Sequence, residues 1–310
     1  MIVHSFDIGG SSVKSGIVDV TQKLETLIIT ARTAPIATRM FTEYEKVILG
    51  EVADGQARQP APTAVAVSTT GQLSADGTML KSGLIQGYDG VSWARILAEP
   101  FGHLPVTIIT DGQASTLAEY YANGSGDPHV HAVVGTGVGG GIVSGGEQVL
   151  LPERSGGRLG HVRVSWESRI LCSCGSRGCC EPLAAAPAIV RLYNSAAPAG
   201  QRRFNLQEIT ASARAGDQLA LSAFERSGSW LGIALGVVLN ALTPAVITIG
   251  GGVALASEAA GSGGADPYLA GIERGLRTAC PAHRAVTPRQ GKLGNDAGII
   301  GAALAAARQR

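Results

Sequence analysis

Four of the chain's five cysteines lie between Cys172 and Cys180, in the run Cys172-Ser-Cys174-Gly-Ser-Arg-Gly-Cys179-Cys180-Glu181, and His161 stands eleven residues before the first of them. Thiolate and imidazole donors at this density, with Gly175 and Gly178 to turn the backbone, suit a tetrahedral zinc ion. His161, Cys172, Cys174 and Cys179 would complete a closed four-ligand shell, so the expected zinc is structural, with no open position for catalysis. The alternative is a pair of disulfides or idle thiols. Cys172 and Cys174 are poorly placed to pair with each other, and nothing upstream marks an oxidising compartment. The run ends in a carboxylate, Glu181, beside the ligands.

Two aspartates stand where predicted strands end. The strand Ile2 to Ile8 runs into Asp7-Ile-Gly9-Gly10-Ser11-Ser12 before a second strand, Val13 to Val20. Such a tip offers backbone N–H groups to a phosphate, and Asp7 can hold magnesium directly or through water. A Gly-Gly between strands also makes an ordinary hairpin turn. The strand Val106 to Ile109 delivers Thr110-Asp111-Gly112 to a helix, Ala114 to Asn123. There Asp111 is either an N-cap or a reactive carboxylate presented at a strand end.

Two more glycine clusters follow. The strand Val130 to Val134 breaks into Gly135-Thr136-Gly137-Val-Gly139-Gly140-Gly141 and resumes as Ile142 to Val143, and the strand Ala245 to Ile249 ends at Gly250-Gly251-Gly252. No helix follows the first of these, so it is no dinucleotide fingerprint but a second strand-turn-strand cradle. His129 and His131, at the start of that strand with no cysteine nearby, read as ordinary strand residues.

The elements that must position these residues need more than one core. At 310 residues two lobes are expected. A net charge of +1 leaves no electrostatic footprint for nucleic acid or an anionic membrane. The 43 glycines, clustered at turns, suggest close approach of backbone to a ligand. Met1 to Ile8 lacks the pattern of a signal peptide, and the apolar stretch Leu231 to Leu242 is too short to span a bilayer. A reducing cytoplasm is the expected location. Between the motifs, the patterning predicts a strand at Leu24 to Ala31, a helix at Thr42 to Val52, a polar loop at Asp54 to Pro62, and a strand at Thr63 to Val67 followed by a turn at Ser68 to Gly71. It then predicts a turn at Gly87 to Gly90 and a helix at Val91 to Phe101. Later come helices at Ala184 to Tyr193, Leu206 to Ala215 and Asp217 to Leu242, a small-residue loop at Ser257 to Asp266, and helices at Tyr268 to Thr278 and Ala297 to Arg308.

With two halves that each open on strand, glycine-rich hairpin and strand, the chain resembles the ROK family (repressor, open reading frame, kinase) over nearly its whole length. Asp7 to Ser11 resembles the first phosphate motif of that family, Gly135 to Gly141 the second, and Ile249 to Gly252 the adenosine segment; Cys172 to Glu181 fits its CxCGxxGCxE signature. The resemblance implies an α/β, two-lobed actin-like ATPase (ribonuclease H-like) fold, each lobe a mixed sheet flanked by helices. The expected N-terminal lobe is 1–110 plus 297–310; the C-terminal lobe is 111–296, with the zinc stretch at 161–181. Because the first phosphate motif begins at residue 7, the helix-turn-helix of the repressors has no place ahead of it, and the kinase branch is expected.

The implied activity is ATP-dependent phosphorylation of the 6-hydroxyl of a hexose or N-acetylhexosamine, with Mg²⁺ and a structural Zn²⁺, the implied partners being a small sugar and a second copy of the chain in a homodimer. By resemblance Asp111 accepts the hydroxyl proton. Asp7, Gly9, Gly10, Ser11, Ser12, Lys14, Gly135, Thr136, Gly137, Gly139, Gly140, Gly250, Gly251 and Gly252 serve the nucleotide. His161 and Glu181 read the sugar's ring hydroxyls, with Gly71, Asp89 and Thr110 also on the sugar. Two departures stand out. Thr110 occupies the place of the family's asparagine before the catalytic aspartate. Arg158, in Gly157-Arg158-Leu-Gly160-His161, occupies the place of a sugar-binding glutamate. A guanidinium only donates and prefers an anionic partner. Arg158 therefore points away as a solvated side chain, or favours a sugar with acceptor or acidic groups, or marks a sugar-binding protein without kinase activity.

Overall fold

The computed structural model describes residues 1–21, 27–56, 60–102, 104–124, 126–150, 157–261, 266–281 and 286–308, the side chains of 54–56 excepted. The chain forms two compact units: residues 1–125, 148–157 and 295–310, and residues 126–147 and 158–294.

The first unit is built on a five-stranded sheet. Strands β1 (Ile2–Ile8), β2 (Ser12–Asp19) and β3 (Ile28–Pro35) form an antiparallel meander. Beside β1 and parallel to it lies β4 (Ala64–Thr69), then β7 (Val106–Thr110), giving the order β3-β2-β1-β4-β7. A small antiparallel ribbon, β5 (Gln72–Leu73) and β6 (Met79–Lys81), stands apart from it. Every residue of β4 is buried, as a strand covered on both faces must be. That is why β4 runs through Ser68 and Thr69, which their composition had assigned to a turn. On one side α1 (Phe41–Gln56) and α2 (Trp93–Phe101) cover the sheet; α2 turns Trp93, Leu97 and Phe101 inward at helical spacing to join Phe6, Ile8, Val65 and Val67 in the core. Elsewhere α3 (Asp111–Ala122) packs against α10 (Ala297–Arg308). A methyl at Gly301 of α10 would fall on the carbonyl oxygen of Ala114, so only glycine permits this approach.

The second unit repeats the plan. β8 (His129–Val134) and β9 (Val138–Ser144) are antiparallel, with β10 (Glu147–Gln148) at the edge; β11 (Val246–Gly250) runs parallel to β8 and β12 (Arg289–Gln290) parallel to β11, in the order β10-β9-β8-β11-β12. The helices are α4 (Glu181–Ala184), α5 (Ala186–Ala196), α6 (Leu206–Arg214), α7 (Gln218–Leu242), α8 (Gly252–Ala260) and α9 (Pro267–Ala279). α7 is the apolar helix expected from Leu231 to Leu242. Its Gly228 and Gly232 lie on the backbone carbonyls of Tyr268 and Ile272 in α9, where any side chain would clash. Asp217 caps α7 by accepting from Leu219 N at 2.9 Å, and Asp266 caps α9 through Tyr268 N and Leu269 N.

Both units therefore carry a mixed sheet flanked by helices, as expected. Two further local expectations are corrected. Gly139 to Gly141 are not turn residues: β9 begins at Val138, and they pair with Val133, Ala132 and His131. Ser257 to Ala260 belong to α8 rather than to a loop; residues 262–265 of that predicted loop lie outside the described residues. The predicted strand from Leu24 is described only from Leu27 onward, and 57–59 of the polar loop lie outside as well. The β5–β6 ribbon and β12, with strands of two or three residues, are too short to leave a period-two signal. Among the described residues, no helix is long and apolar enough to cross a membrane.

Candidate functional site

In the first unit the site residues gather at the ends of β1, β4 and β7, on the edge where α3 and α10 begin. Asp7 on β1 faces Lys14 across the hairpin and Ser68 on β4. Ser68 Oγ donates to Asp7 Oδ1 at 2.7 Å. Desolvation raises the Asp7 pKa above its ordinary value, opposed by that hydrogen bond and by the Lys14 charge. Lys14 itself is held by Asp296 and by the carbonyl of Asn295, 3.3 Å away, just ahead of α10. Gly298 in the first turn of α10 lies so close that a methyl there would collide with the Asp7 carboxylate. Asp7 is thus enclosed on three sides. Ser68, Asp296 and Gly298 were not singled out from sequence, since a serine inside a buried strand and a glycine in a terminal helix carry no motif.

The helix-cap alternative for Asp111 is resolved by its neighbour. Thr110 is the N-cap of α3: its Oγ1 accepts from Gln113 N at 3.3 Å, and Gln113 Oε1 accepts from Thr110 N at 3.2 Å, a complete capping box. Asp111 is the first helical residue, and its Oδ1 accepts from Gly112 N at 2.7 Å. The carboxylate is therefore not consumed by capping. Desolvation and the nearby Asp7 charge raise its pKa from 3.8 to about 6. A carboxylate poised near neutrality at a strand end is suited to receive a proton.

Gly9 to Ser11 form the tip between β1 and β2, closed by Gly9 N donating to the Ser12 carbonyl at 3.0 Å; Tyr44 Oη donates to the Gly10 carbonyl at 3.2 Å. Gly71 has φ +119°, open to glycine alone, and a Cβ there would lie 2.6 Å from Met79 Sδ. Asp89 is exposed and accepts from Ser82 N at 2.8 Å.

In the second unit the turn between β8 and β9 is Gly135 to Gly137, closed by Gly135 N donating to the Gly137 carbonyl at 2.9 Å. Gly250 ends β11. Gly251 has φ +89° and packs its Cα on the backbone of Val134; Gly252 opens α8. His129 and His131, both buried, hydrogen-bond Thr248 Oγ1 at 2.7 and 2.8 Å, and burial draws His131 down to about 3. They are structural members of the sheet.

The donor atoms of His161, Cys172, Cys174 and Cys179 all lie within 4.8 Å of one another. Cys172 Sγ is 3.4 Å from His161 Nδ1 and Cys174 Sγ is 3.7 Å from Cys179 Sγ; none of the cysteines is in a disulfide. Tetrahedral zinc, with Zn–S of about 2.3 Å, places its ligands roughly 3.5–3.8 Å apart, so the residues present fit it. Burial holds the His161 imidazole below its ordinary pKa, in the neutral form a metal needs. Cys180 turns away into the core, its Sγ 3.8 Å from the Trp230 carbonyl, and Cys280 donates to Asn240 Oδ1 at 2.7 Å. Glu181 opens α4. Its Oε1 accepts from Ser173 Oγ at 2.7 Å and its Oε2 from Val138 N at 3.1 Å. Arg158 is exposed; its carbonyl accepts from His161 N at 3.0 Å, and its guanidinium makes no hydrogen bond or ion pair among the described residues.

A family model described as "ROK family" matches residues 3–309. A glucokinase from Halalkalibacterium halodurans is 31% identical over 214 residues, 64% of this chain and 62% of that enzyme; the chain thus matches less than two thirds of that relative's length. An Escherichia coli N-acetylmannosamine kinase is 32% identical over 209 residues, 67% of each chain. Among solved structures, a ROK family glucokinase from Streptomyces griseus in complex with glucose and AMPPNP superposes with a TM-score of 0.82 at 25% identity, covering 100% of both chains.

Proposed function

The chain belongs to the ROK family, and we propose that it is an ATP-dependent sugar kinase that phosphorylates the 6-hydroxyl of a hexose or N-acetylhexosamine. The observation that carries this reading is Asp111. It stands at the start of a helix whose capping is done by Thr110, and it titrates at about 6. The relatives named glucokinase and N-acetylmannosamine kinase support the same class.

In the reaction the sugar O6 forms a bond to the γ-phosphorus as the bond to the β–γ bridging oxygen breaks, ADP leaves, and the O6 proton passes to Asp111 Oδ. Such a transfer asks for alignment, charge neutralisation and one base. The N–H groups of Gly10, Ser11 and Ser12 serve the phosphates, as do those of Thr136 and Gly137, in turns that Gly9 N and Gly135 N close through the Ser12 and Gly137 carbonyls; Gly250 to Gly252 serve the adenosine. The strand placement of Gly139 and Gly140 leaves their role as spacing: a methyl on Gly140 would strike the His131 carbonyl and Leu159. Lys14 is the cation nearest Asp7, available to phosphate on release from Asp296. Asp7 would hold Mg²⁺, which when bound neutralises phosphate charge. His161, Cys172, Cys174 and Cys179 would hold a structural Zn²⁺ that fixes the loop carrying Glu181. Glu181 and His161 then read ring hydroxyls: Glu181 Oε2, with Val138 N on it, keeps a lone pair for a sugar O–H, while Oε1 already accepts from Ser173 Oγ and faces Cys172 Sγ at 4.0 Å. Gly71, Asp89 and Thr110 are proposed around the same sugar, and the chain is proposed to act in the cytoplasm as a homodimer.

Arg158, whose guanidinium makes no hydrogen bond or ion pair among the described residues, favours substrates carrying an acceptor such as an acetamido carbonyl or a carboxylate. The test is ADP release with Mg-ATP and a panel of neutral hexoses, N-acetylhexosamines and acidic sugars. Turnover is expected, strongest on a sugar with such an acceptor. No sugar-dependent ADP release while ATP still binds would overturn the kinase reading.

A further inference from the structure

Glu181 touches two parts of the second unit that the reaction uses for different purposes. One is the metal loop, through Ser173, which stands between the ligands Cys172 and Cys174. The other is the Gly135 to Gly137 turn, through Val138 N, the first N–H beyond it. The turn and the metal stretch also meet by shape. A Cβ on Gly137 would lie 2.8 Å from Glu181 Oε2, and one on Gly160, next to His161, would meet Val138 and, at 3.2 Å, Glu181 Cβ. On the far side of the turn, Ala186 N donates to the Gly135 carbonyl at 2.9 Å. The turn therefore rests on the residues that follow the metal loop.

We infer that Ser173 and Glu181 couple the metal loop to the phosphate turn, so that metal and nucleotide each tighten the binding of the other. The inference rests on the proposal that Gly135 to Gly137 holds nucleotide phosphate. Its physical basis is that residues 173–177 are exposed and form a loop turned by glycine, with little packing of their own. Ligation of the cysteines on either side of Ser173 fixes where its hydroxyl points. The hydroxyl holds one oxygen of Glu181, and the other oxygen then presents a fixed acceptor to Val138 N, setting the path of the backbone out of the turn. Unligated, three thiols and an imidazole have no common partner, and the Ser173 hydroxyl is placed by the main-chain bonds that close the turn, Cys172 N to the Ser176 carbonyl at 2.8 Å and Gly175 N to the Cys172 carbonyl at 2.9 Å, without the ligands on either side to hold it. Ser173 is thus a positioning residue. It touches neither reactant and acts through Glu181.

Ser173→Ala tests this without removing a metal ligand. Calorimetric titration with Mg²⁺ and a non-hydrolysable ATP analogue is made on zinc-loaded wild type, chelator-stripped wild type, and zinc-loaded Ser173→Ala and Ser173→Thr, with metal content measured in each. Ser173→Ala should retain its zinc yet bind the analogue roughly fivefold more weakly, at the low end of ordinary coupling between sites. Ser173→Thr, which keeps the hydroxyl, should restore wild-type affinity, and stripped wild type should resemble Ser173→Ala. Reciprocally, the analogue should tighten zinc against a competing chelator by the same factor in wild type and by less in Ser173→Ala. Equal analogue affinity in wild type and Ser173→Ala, both zinc-loaded, overturns the coupling while leaving the phosphate turn in place. No analogue binding by zinc-loaded wild type overturns the phosphate turn itself, and the coupling with it. Because Ser173→Ala keeps all four ligands, the outcome stands even if stripping unfolds the wild type.

Discussion

Replacing Asp111 by Asn removes a charge and leaves the shape of the side chain almost unchanged, so it separates two properties that the structure ties together. In the folded chain the Asp111 carboxyl titrates at about 6, raised from 3.8 by desolvation and by Asp7. The ionised form is therefore less favourable folded than unfolded. Between about pH 4 and 6 the folded chain holds a proton that the unfolded chain has lost, and above 6 the full cost of the charge is present. At about 1.4 kcal/mol per pH unit, the shift is worth about 3 kcal/mol. Partial solvent access and the shared field with Asp7 reduce this to about 1–3 kcal/mol. Asn keeps an oxygen to accept from Gly112 N and carries no charge at any pH. The variant should thus be more stable than wild type at pH 7.5, by a few degrees at ~2–4 °C per kcal/mol, with the gain shrinking toward zero near pH 4. The same change should lower turnover by about 10²–10⁴-fold, while the wild-type rate climbs as pH rises through about 6. Paired thermal melts at the two pH values and ADP-release assays read both effects. A variant no more stable at pH 7.5, or a gain undiminished at pH 4.5, would refute the desolvation argument. Persisting turnover would remove Asp111 from the role of base.

Two further substitutions probe the surroundings. Cys174→Ser should lower zinc affinity by more than about tenfold and reduce thermal stability, because binding of a structural metal is folding free energy; unchanged metal content by mass spectrometry would show the four-ligand shell to be wrong. Gly298→Ala forces a methyl onto the Asp7 carboxylate and should cost about 1–3 kcal/mol in a denaturant melt, together with a higher Mg²⁺ requirement for turnover; a variant with wild-type stability and Mg²⁺ dependence would mean that α10 yields freely.

The candidate ligand cluster is legible because its spacing is local: three cysteines within eight residues and a nearby histidine can meet with little help from the rest of the fold. The glycine turns were legible as positions but not as conformations. Gly139 to Gly141 look like loop in a composition reading, yet the ladder with β8 claims them, since cross-strand pairing is a property of two segments. In the same way β4 absorbs Ser68 because both its faces are covered, and only then does the Ser68 hydroxyl meet Asp7.

For the candidate base, sequence fixed an aspartate at a strand end and left two readings open. The capping box of Thr110 and Gln113 decided between them by supplying the cap one residue earlier. What the linear order alone determined is the set of chemical groups and their local spacing: the ligand run, the paired strand-turn-strand openings, and Asp7 and Asp111 at the ends of strands. What only the tertiary structure decided is which groups share an environment. Asp7 and Asp111 stand 104 positions apart in the chain yet feel each other's charge, and Glu181 joins Ser173 to Val138. Desolvation and Coulomb interaction depend on distance through space and on exclusion of water, and neither is set until the sheets and helices have packed.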